Sequence, residues 1–214
     1  MAYPILDQTL VPLLRRKISR IEGIENVPLK SNFILAANHC SVSDHFYIIT
    51  SLLPFVGKKI YFISGQNVWQ LYGSWVAEKI LGMIRKYEDN PARCLEDAKK
   101  LLRENHIVGI FPEGTIQKKG LIKGKTGVAR LALTTKTPVL PVGYLGLVSP
   151  ERGIGPFLKD YFSKEPIVIK IGRPIVFNEH YDGQFNTANK ELLESVTRKI
   201  MQSIGDLIGE EYKY

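Results

Sequence analysis

Short apolar runs of strand length recur along this chain, and most are followed by a stretch with helical spacing. Residues 33–37, 59–63, 107–111, 139–144 and 166–171 read as strands. Helical patterns fall over 5–20, 44–53 (ended by Pro54), 68–84, 124–136 and 187–208, and Asn90-Pro91 makes a cap-plus-N1 start for a helix through Asn105. In the closing helix Leu193, Val196, Ile200, Ile204 and Leu207 share one face. Strands alternating with helices predict an α/β fold: a central mixed, mostly parallel sheet flanked by helices, with an amphipathic N-terminal helix and a C-terminal helix. The expected division is a helical segment over residues 1–22 and a single α/β domain over 23–214. A chain of 214 residues is long enough for folding to bury roughly 70% of its surface, so one real core is expected. There is no internal repeat and no low-complexity linker.

The net charge of +8 is concentrated in the first 130 residues. Between Glu113 and Glu151 there is no acid, while Lys118, Lys119, Lys123, Lys125, Arg130 and Lys136 all fall there. Such a field favours an anionic partner: a phosphorylated small molecule, nucleic acid or an acidic lipid surface. Two cysteines, Cys40 and Cys94, are too few for a disulfide framework or a zinc site, and a reducing, cytoplasmic setting is expected.

The N-terminal segment sets Leu6, Leu10, Leu13 and Leu14 against Arg15, Arg16, Lys17 and Arg20. Its basic cluster follows the apolar part, the wrong order for a secretory signal, and the pattern suits a helix lying on a membrane surface. The uncharged stretch from Ile60 to Ala77 carries Gln66, Asn67, Gln70, Gly65 and Gly73, a poor composition for a spanning helix. No transmembrane segment is expected. The aromatic residues of that stretch, with Trp69, Tyr72 and Val76 on one helical face, read equally as buried core or as an amphipathic wall that lines an apolar groove or rests at a lipid interface.

Two strand ends carry unusual polar sequences. After the run at 33–37 comes Asn38-His39-Cys40-Ser41-Val42-Ser43-Asp44. With His39 in the turn and Asp44 in the first helical turn, the side chains can meet. An Asp bonded to one imidazole nitrogen fixes the tautomer and leaves the other nitrogen as a base. Taken alone, a histidine that merely bonds a turn is the ordinary alternative. After the run at 107–111 comes Pro112-Glu113-Gly114-Thr115. There Gly114 permits a left-handed turn whose N–H groups can face an anion, and Thr115 adds a hydroxyl. The two sequences converge only if their strands are parallel neighbours.

His39-x4-Asp44, Phe-Pro-Glu-Gly-Thr at 111–115, Lys123-Gly124 and Val139-Leu140-Pro141-Val142-Gly143, in that order, resemble the glycerolipid acyltransferase family, typified by 1-acylglycerol-3-phosphate acyltransferases. The resemblance runs from about residue 23 to 174. It implies transfer of a fatty acyl group from a coenzyme A or acyl-carrier-protein thioester, a co-substrate rather than a bound cofactor, to a hydroxyl of 1-acylglycerol 3-phosphate, giving phosphatidate. Acylation of glycerol 3-phosphate by the same site is the alternative. The resemblance makes His39 the general base and Asp44 its orienting partner. It places Glu113, Gly114 and Arg85 on the phosphorylated acceptor, and Pro141 near the acyl or thioester region. The second motif, Gly82-Met83-Ile84-Arg85, is shorter than usual. Ile116-Gln117 stands where Arg-Ser is common, so either Lys118 or Lys119 supplies the missing charge or the acceptor preference differs; Thr115 and Lys123 complete the expected phosphate-binding set. A peripheral position on the cytoplasmic face of a membrane follows.

The chemistry needs no enzyme nucleophile. A thiol leaving group of pKa ~8.5 departs readily, and the difficulty is making an alcohol nucleophilic, which a positioned histidine supplies. No Gly-x-Ser-x-Gly elbow is present, which argues against a serine hydrolase. Gly120-Leu-Ile-Lys-Gly124-Lys125-Thr126 has three residues between its glycines where a P-loop needs four. A metal site on His39, Asp44 and His45 would require adjacent side chains to turn together. A basic nucleic-acid-binding module is the non-enzyme alternative, and no DNA- or RNA-binding motif supports it.

Overall fold

The structure, a computed structural model, describes residues 10–87, 89–149, 154–180 and 189–214. Seven strands form one sheet: β1 (Ile18–Glu22), β2 (Ile34–Ala37), β3 (Ile60–Ser64), β4 (Met83–Arg85), β5 (Ile107–Ile110), β6 (Val139–Leu145) and β7 (Ile167–Ile171). Their spatial order is β1-β7-β6-β2-β5-β3-β4. Neighbours pair in parallel except β6 and β7. The sheet is therefore mixed and mostly parallel, as expected. Buried strands alternate their side chains between two layers. Phe33, Leu35 and Ala37 face one core with α1 (Leu10–Arg15), α2 (Asp44–Val56) and α3 (Asn67–Trp75). Ile34 and Ala36 face the other with α4 (Pro91–Arg103), α5 (Gly127–Thr135) and α7 (Lys190–Ile208). A further helix, α6 (Ile154–Phe162), precedes β7.

Several element boundaries differ from the sequence reading. The helix expected over 5–20 ends at Arg15; its residues before Leu10 lie outside the described residues. Ile18–Glu22 is instead an edge strand on β7, with Arg20 paired to Glu22 at 2.6 Å. Pro54 does not end α2, because a proline in the last turn forfeits a single bond. Gly57 ends it, left-handed at φ 58°, with its N–H bonded to the Leu53 carbonyl. The helix expected over 68–84 kinks at Gly73 (φ 74°), loosens into a π turn over Val76–Ile80 and breaks at Gly82 (φ 70°), and Met83–Arg85 then form β4. The Asn90 side chain accepts from the Arg93 N–H, as the cap reading requires, though α4 stops at Arg103. The closing helix buries Leu193, Val196, Ile200 and Ile204 from a cap at Asn189; its expected start at Thr187 lies outside the described residues.

Candidate active site

The β2 and β5 strands are parallel neighbours, with Ala36 beside Ile110, so the sequences that follow them leave the same edge of the sheet. Ligands of open α/β sheets collect at this carboxyl edge. Asn38 first clamps the end of β2 to β6: its Nδ2 donates to the Tyr144 carbonyl at 3.0 Å and its Oδ1 accepts the Tyr144 N–H at 2.8 Å. Beyond it the chain turns, and His39 Nδ1 meets Asp44 Oδ2 at 2.8 Å. The same Asp44 oxygen accepts the N–H groups of Cys40 (3.0 Å) and Ser41 (3.2 Å), while Oδ1 accepts that of His45 (2.7 Å). With Asp44 fully buried and committed as an acceptor, Nδ1 carries the proton and Nε2 is left as the basic nitrogen. The His39 ring lies flat on Phe111, centroids 4.0 Å apart and planes 10° apart, and is 18% exposed.

Glu113 reaches this turn from the end of β5. Its Oε2 accepts the His39 N–H at 2.8 Å and its Oε1 accepts the Ile122 N–H at 3.3 Å. Gln117 N–H donates to the His39 carbonyl at 2.7 Å. The carboxyl group is almost completely buried, which pushes its pKa up to about 7 against the pull of the two N–H donors. Glu113 therefore pins backbone on both sides of the site. Burial also holds His45 neutral, its pKa pushed down to about 4. The Cys40 thiol is pushed far up, by burial first and then by Asp44, which removes it as a thiolate nucleophile.

Two cavities meet at His39. The larger, about 730 Å3, has an apolar wall including Phe46, Phe62, Val68, Met83 and Phe157. Tyr72 lies on that wall, whereas Trp69 is buried core with its Nε1 donating to Glu78 at 3.2 Å. The same cavity is bounded by Gly114, Thr115, Lys86, Lys125 and Arg130. The smaller, about 200 Å3, is lined by His39, Glu113, Lys118, Lys119, Tyr144 and Glu210, among others.

The expected site residues are thus partly brought together. His39, Gly114 and Thr115 border the large cavity; Glu113 and Lys118 border the small one. Lys123 instead points to Glu194 at 3.4 Å, and Pro141 sits in β6 against Gly172; neither lines these two cavities. Arg85 lies between the rings of Trp69 and Tyr87, at 5.7 and 5.5 Å, and the adjacent Lys86 lines the large cavity. Lys125, named from sequence only as part of the basic run, comes in over Gly114: at φ 71° that glycine leaves room where a Cβ would stand 2.9 Å from the Lys125 ammonium.

The acyltransferase family model matches residues 18–145. A 1-acyl-sn-glycerol-3-phosphate acyltransferase of Bacillus subtilis is 30% identical over 192 residues, spanning 88% of this chain and 87% of that protein. One of Borreliella burgdorferi is 32% identical over 127 residues, 57% of this chain and 49% of that protein. Among solved structures, the 1-acyl-sn-glycerophosphate (LPA) acyltransferase PlsC from Thermotoga maritima shares the fold, with a TM-score of 0.64 at 22% identity over 96% of this chain and 81% of that chain. On the extent of the family match and the full-length similarity to the Bacillus enzyme, the chain belongs to the glycerolipid acyltransferase family and is an O-acyltransferase.

Proposed function

We propose that the enzyme transfers a fatty acyl group from a thioester to the free hydroxyl of 1-acylglycerol 3-phosphate, giving phosphatidate. The observation that carries this reading is His39, tethered through Nδ1 to Asp44, at the border of a cavity that is apolar along one wall and cationic along another. His39 Nε2 takes the hydroxyl proton as the oxygen attacks the thioester carbonyl, a role worth typically ~10²–10⁴-fold. Asp44 steadies the imidazolium that forms. The tetrahedral intermediate then collapses, the C–S bond breaks, and the imidazolium proton goes to the departing thiolate. The phosphate is met by Lys86, Lys125 and Arg130 with Thr115, and the acyl chain by the apolar wall. The thioester head group, from coenzyme A or acyl-carrier protein, takes the smaller cavity with Lys118 and Lys119. The enzyme works from a membrane surface; no helix among the described residues is long and apolar enough to cross one.

The test is thiol release from acyl-CoA and from acyl-carrier protein with three acceptors in turn: 1-acylglycerol 3-phosphate, glycerol 3-phosphate and the matching monoacylglycerol. Charge-assisted phosphate contacts contribute roughly 1.5–3 kcal/mol each. The first acceptor should therefore react more than ~10-fold faster than the monoacylglycerol at equal, sub-saturating concentration. Equal rates would remove the phosphate assignment, and release with neither donor would remove the reaction.

A further inference from the structure

The loop between His39 and Asp44 is fixed by one element that the family match does not reach. Asp160, in the last turn of α6 and only 3% exposed, accepts hydrogen bonds through Oδ2 from the hydroxyls of both Ser41 and Ser43. Ser43 gives up its ordinary local role for it. Ser43 stands at the N-cap of α2, yet its side chain makes no capping bond. Ser41 Oγ accepts the Ser43 N–H at 3.1 Å and sends its own proton to Asp160. A buried carboxyl group is costly unless it is satisfied by donors, and an apolar residue would pack there at less cost. Asp160 Oδ1 is likewise buried and has no partner among the described residues, so packing does not account for an acid at this position.

Ser41 is where two acids meet. Its N–H goes to Asp44 Oδ2, the oxygen that holds His39 Nδ1, and its hydroxyl goes to Asp160. Beside it, Ser149 N–H donates to the Cys40 carbonyl at 2.9 Å, and Ser41 bridges Ser149. We infer that Asp160 is a positioning residue for His39: through Ser41 and Ser43 it sets the loop that aims Asp44, and so the base, at the acceptor hydroxyl. The same helix carries Phe157, three residues earlier, edge-on to Phe46 at 5.7 Å and on the wall of the large cavity. One short helix thus supports both the apolar wall and the base.

The inference rests on His39 being the base, and its test keeps the two apart. Thiol release is measured with donor and acceptor each varied, in the full chain carrying Asp160→Ala, Asp160→Asn, Ser41→Ala with Ser43→Ala, and both Asp160 changes on the serine-free background. Asp160→Ala should lower kcat by ~10-fold or more with both KM values within about twofold. Asp160→Asn, whose amide oxygen still accepts, should regain most of that loss. On the serine-free background neither change should lower kcat by more than about twofold further. Unchanged kcat per folded enzyme, a rise in one KM at full kcat, or an undiminished loss without the serines overturns the inference. Should Asp160→Ala not fold, Asp160→Leu, of similar size but unable to accept, replaces it: a loss confined to the serine-containing background supports the inference, and no loss or an equal loss in both overturns it. His39→Ala runs alongside. Its retention of turnover would overturn the base itself, whereas its inactivity beside a fully active Asp160→Ala overturns only the role of Asp160.

Discussion

His39→Ala should cut kcat at least ~10²-fold while the protein melts normally, because the ring lines two open cavities rather than filling the core. Circular dichroism beside the thiol assay checks both halves, and near-normal turnover in a folded variant would exclude the mechanism. Glu113 makes a different demand, because its folded pKa of about 7 lies above that of an unfolded glutamate. At pH between ~4.5 and ~7 the native state then holds a proton that the unfolded chain has lost. Stability from this group is fully present below ~4.5 and is lost as pH rises through ~7, on the order of 3 kcal/mol at most. Glu113→Gln cannot ionise, so the stability advantage of the natural protein over it should shrink across that window and level off above it. Denaturant melts of both proteins at pH 4.5 to 8 measure the difference, and parallel curves would show that the carboxyl does not titrate there. The histidine and aspartate were legible because they are close in sequence and one turn brings them together. The cations lining the large cavity were not. Whether Arg85 or Lys86 faces the cavity is decided by strand alternation in a β4 that hydrophobic spacing did not reveal. Whether Lys123 or Lys125 faces it is decided by the backbone turn at Gly114.

The elements that sequence spacing missed were short or masked by stronger neighbouring signals. The β1 strand follows the Arg15-Arg16-Lys17 cluster, so its alternation was absorbed into the preceding helical pattern; its charged residues suit an open sheet edge, where they discourage pairing with other chains. Strand β4 has three residues, too few for a period, and α6 carries Pro156 in its first turn. These boundaries also decide how contact with a membrane surface can be tested. Leu14 is buried on α2 and Ile18 is in the sheet, so removing residues 1–20 would damage the fold together with any surface contact. On α1 the described residue that exposes a large apolar side chain is Leu13, and it lies beside the exposed Arg15 and Arg16. Each basic group near an anionic surface contributes ~1 kcal/mol. Arg15→Glu with Arg16→Glu should therefore weaken binding to anionic vesicles by about tenfold or more, with neutral vesicles little affected and the melting temperature kept. Co-sedimentation at low and high salt reads this directly. Unchanged anionic binding would move the membrane contact elsewhere on the molecule.

The sheet order is what turns separate motifs into one site. Chain order alone does not say that β2 lies between β5 and β6, and this placement brings His39, Glu113 and the β6 end around a common edge. It also sets two cavities on the same histidine, and the partition of substrates between them belongs to the whole molecule. The large cavity combines apolar wall and cations, which suits a phosphorylated lipid; the small one is mixed in lining, with Lys118 and Lys119 exposed along it. A head group bearing phosphates would use those two lysines without touching Lys125. Replacing Lys118 and Lys119 together by Ala should raise the KM for acyl-CoA several-fold and leave that of the acceptor unchanged. Lys125→Ala should do the reverse, raising the KM for 1-acylglycerol 3-phosphate by roughly the tenfold that a lost charge-assisted contact implies. Neither should abolish kcat, because both leave His39, Asp44 and the loop between them intact. Steady-state kinetics with each substrate varied at saturating concentrations of the other separates the cases. If both variants raised the same KM, the two cavities would be parts of one substrate's site, and the donor would have to approach His39 from the large cavity.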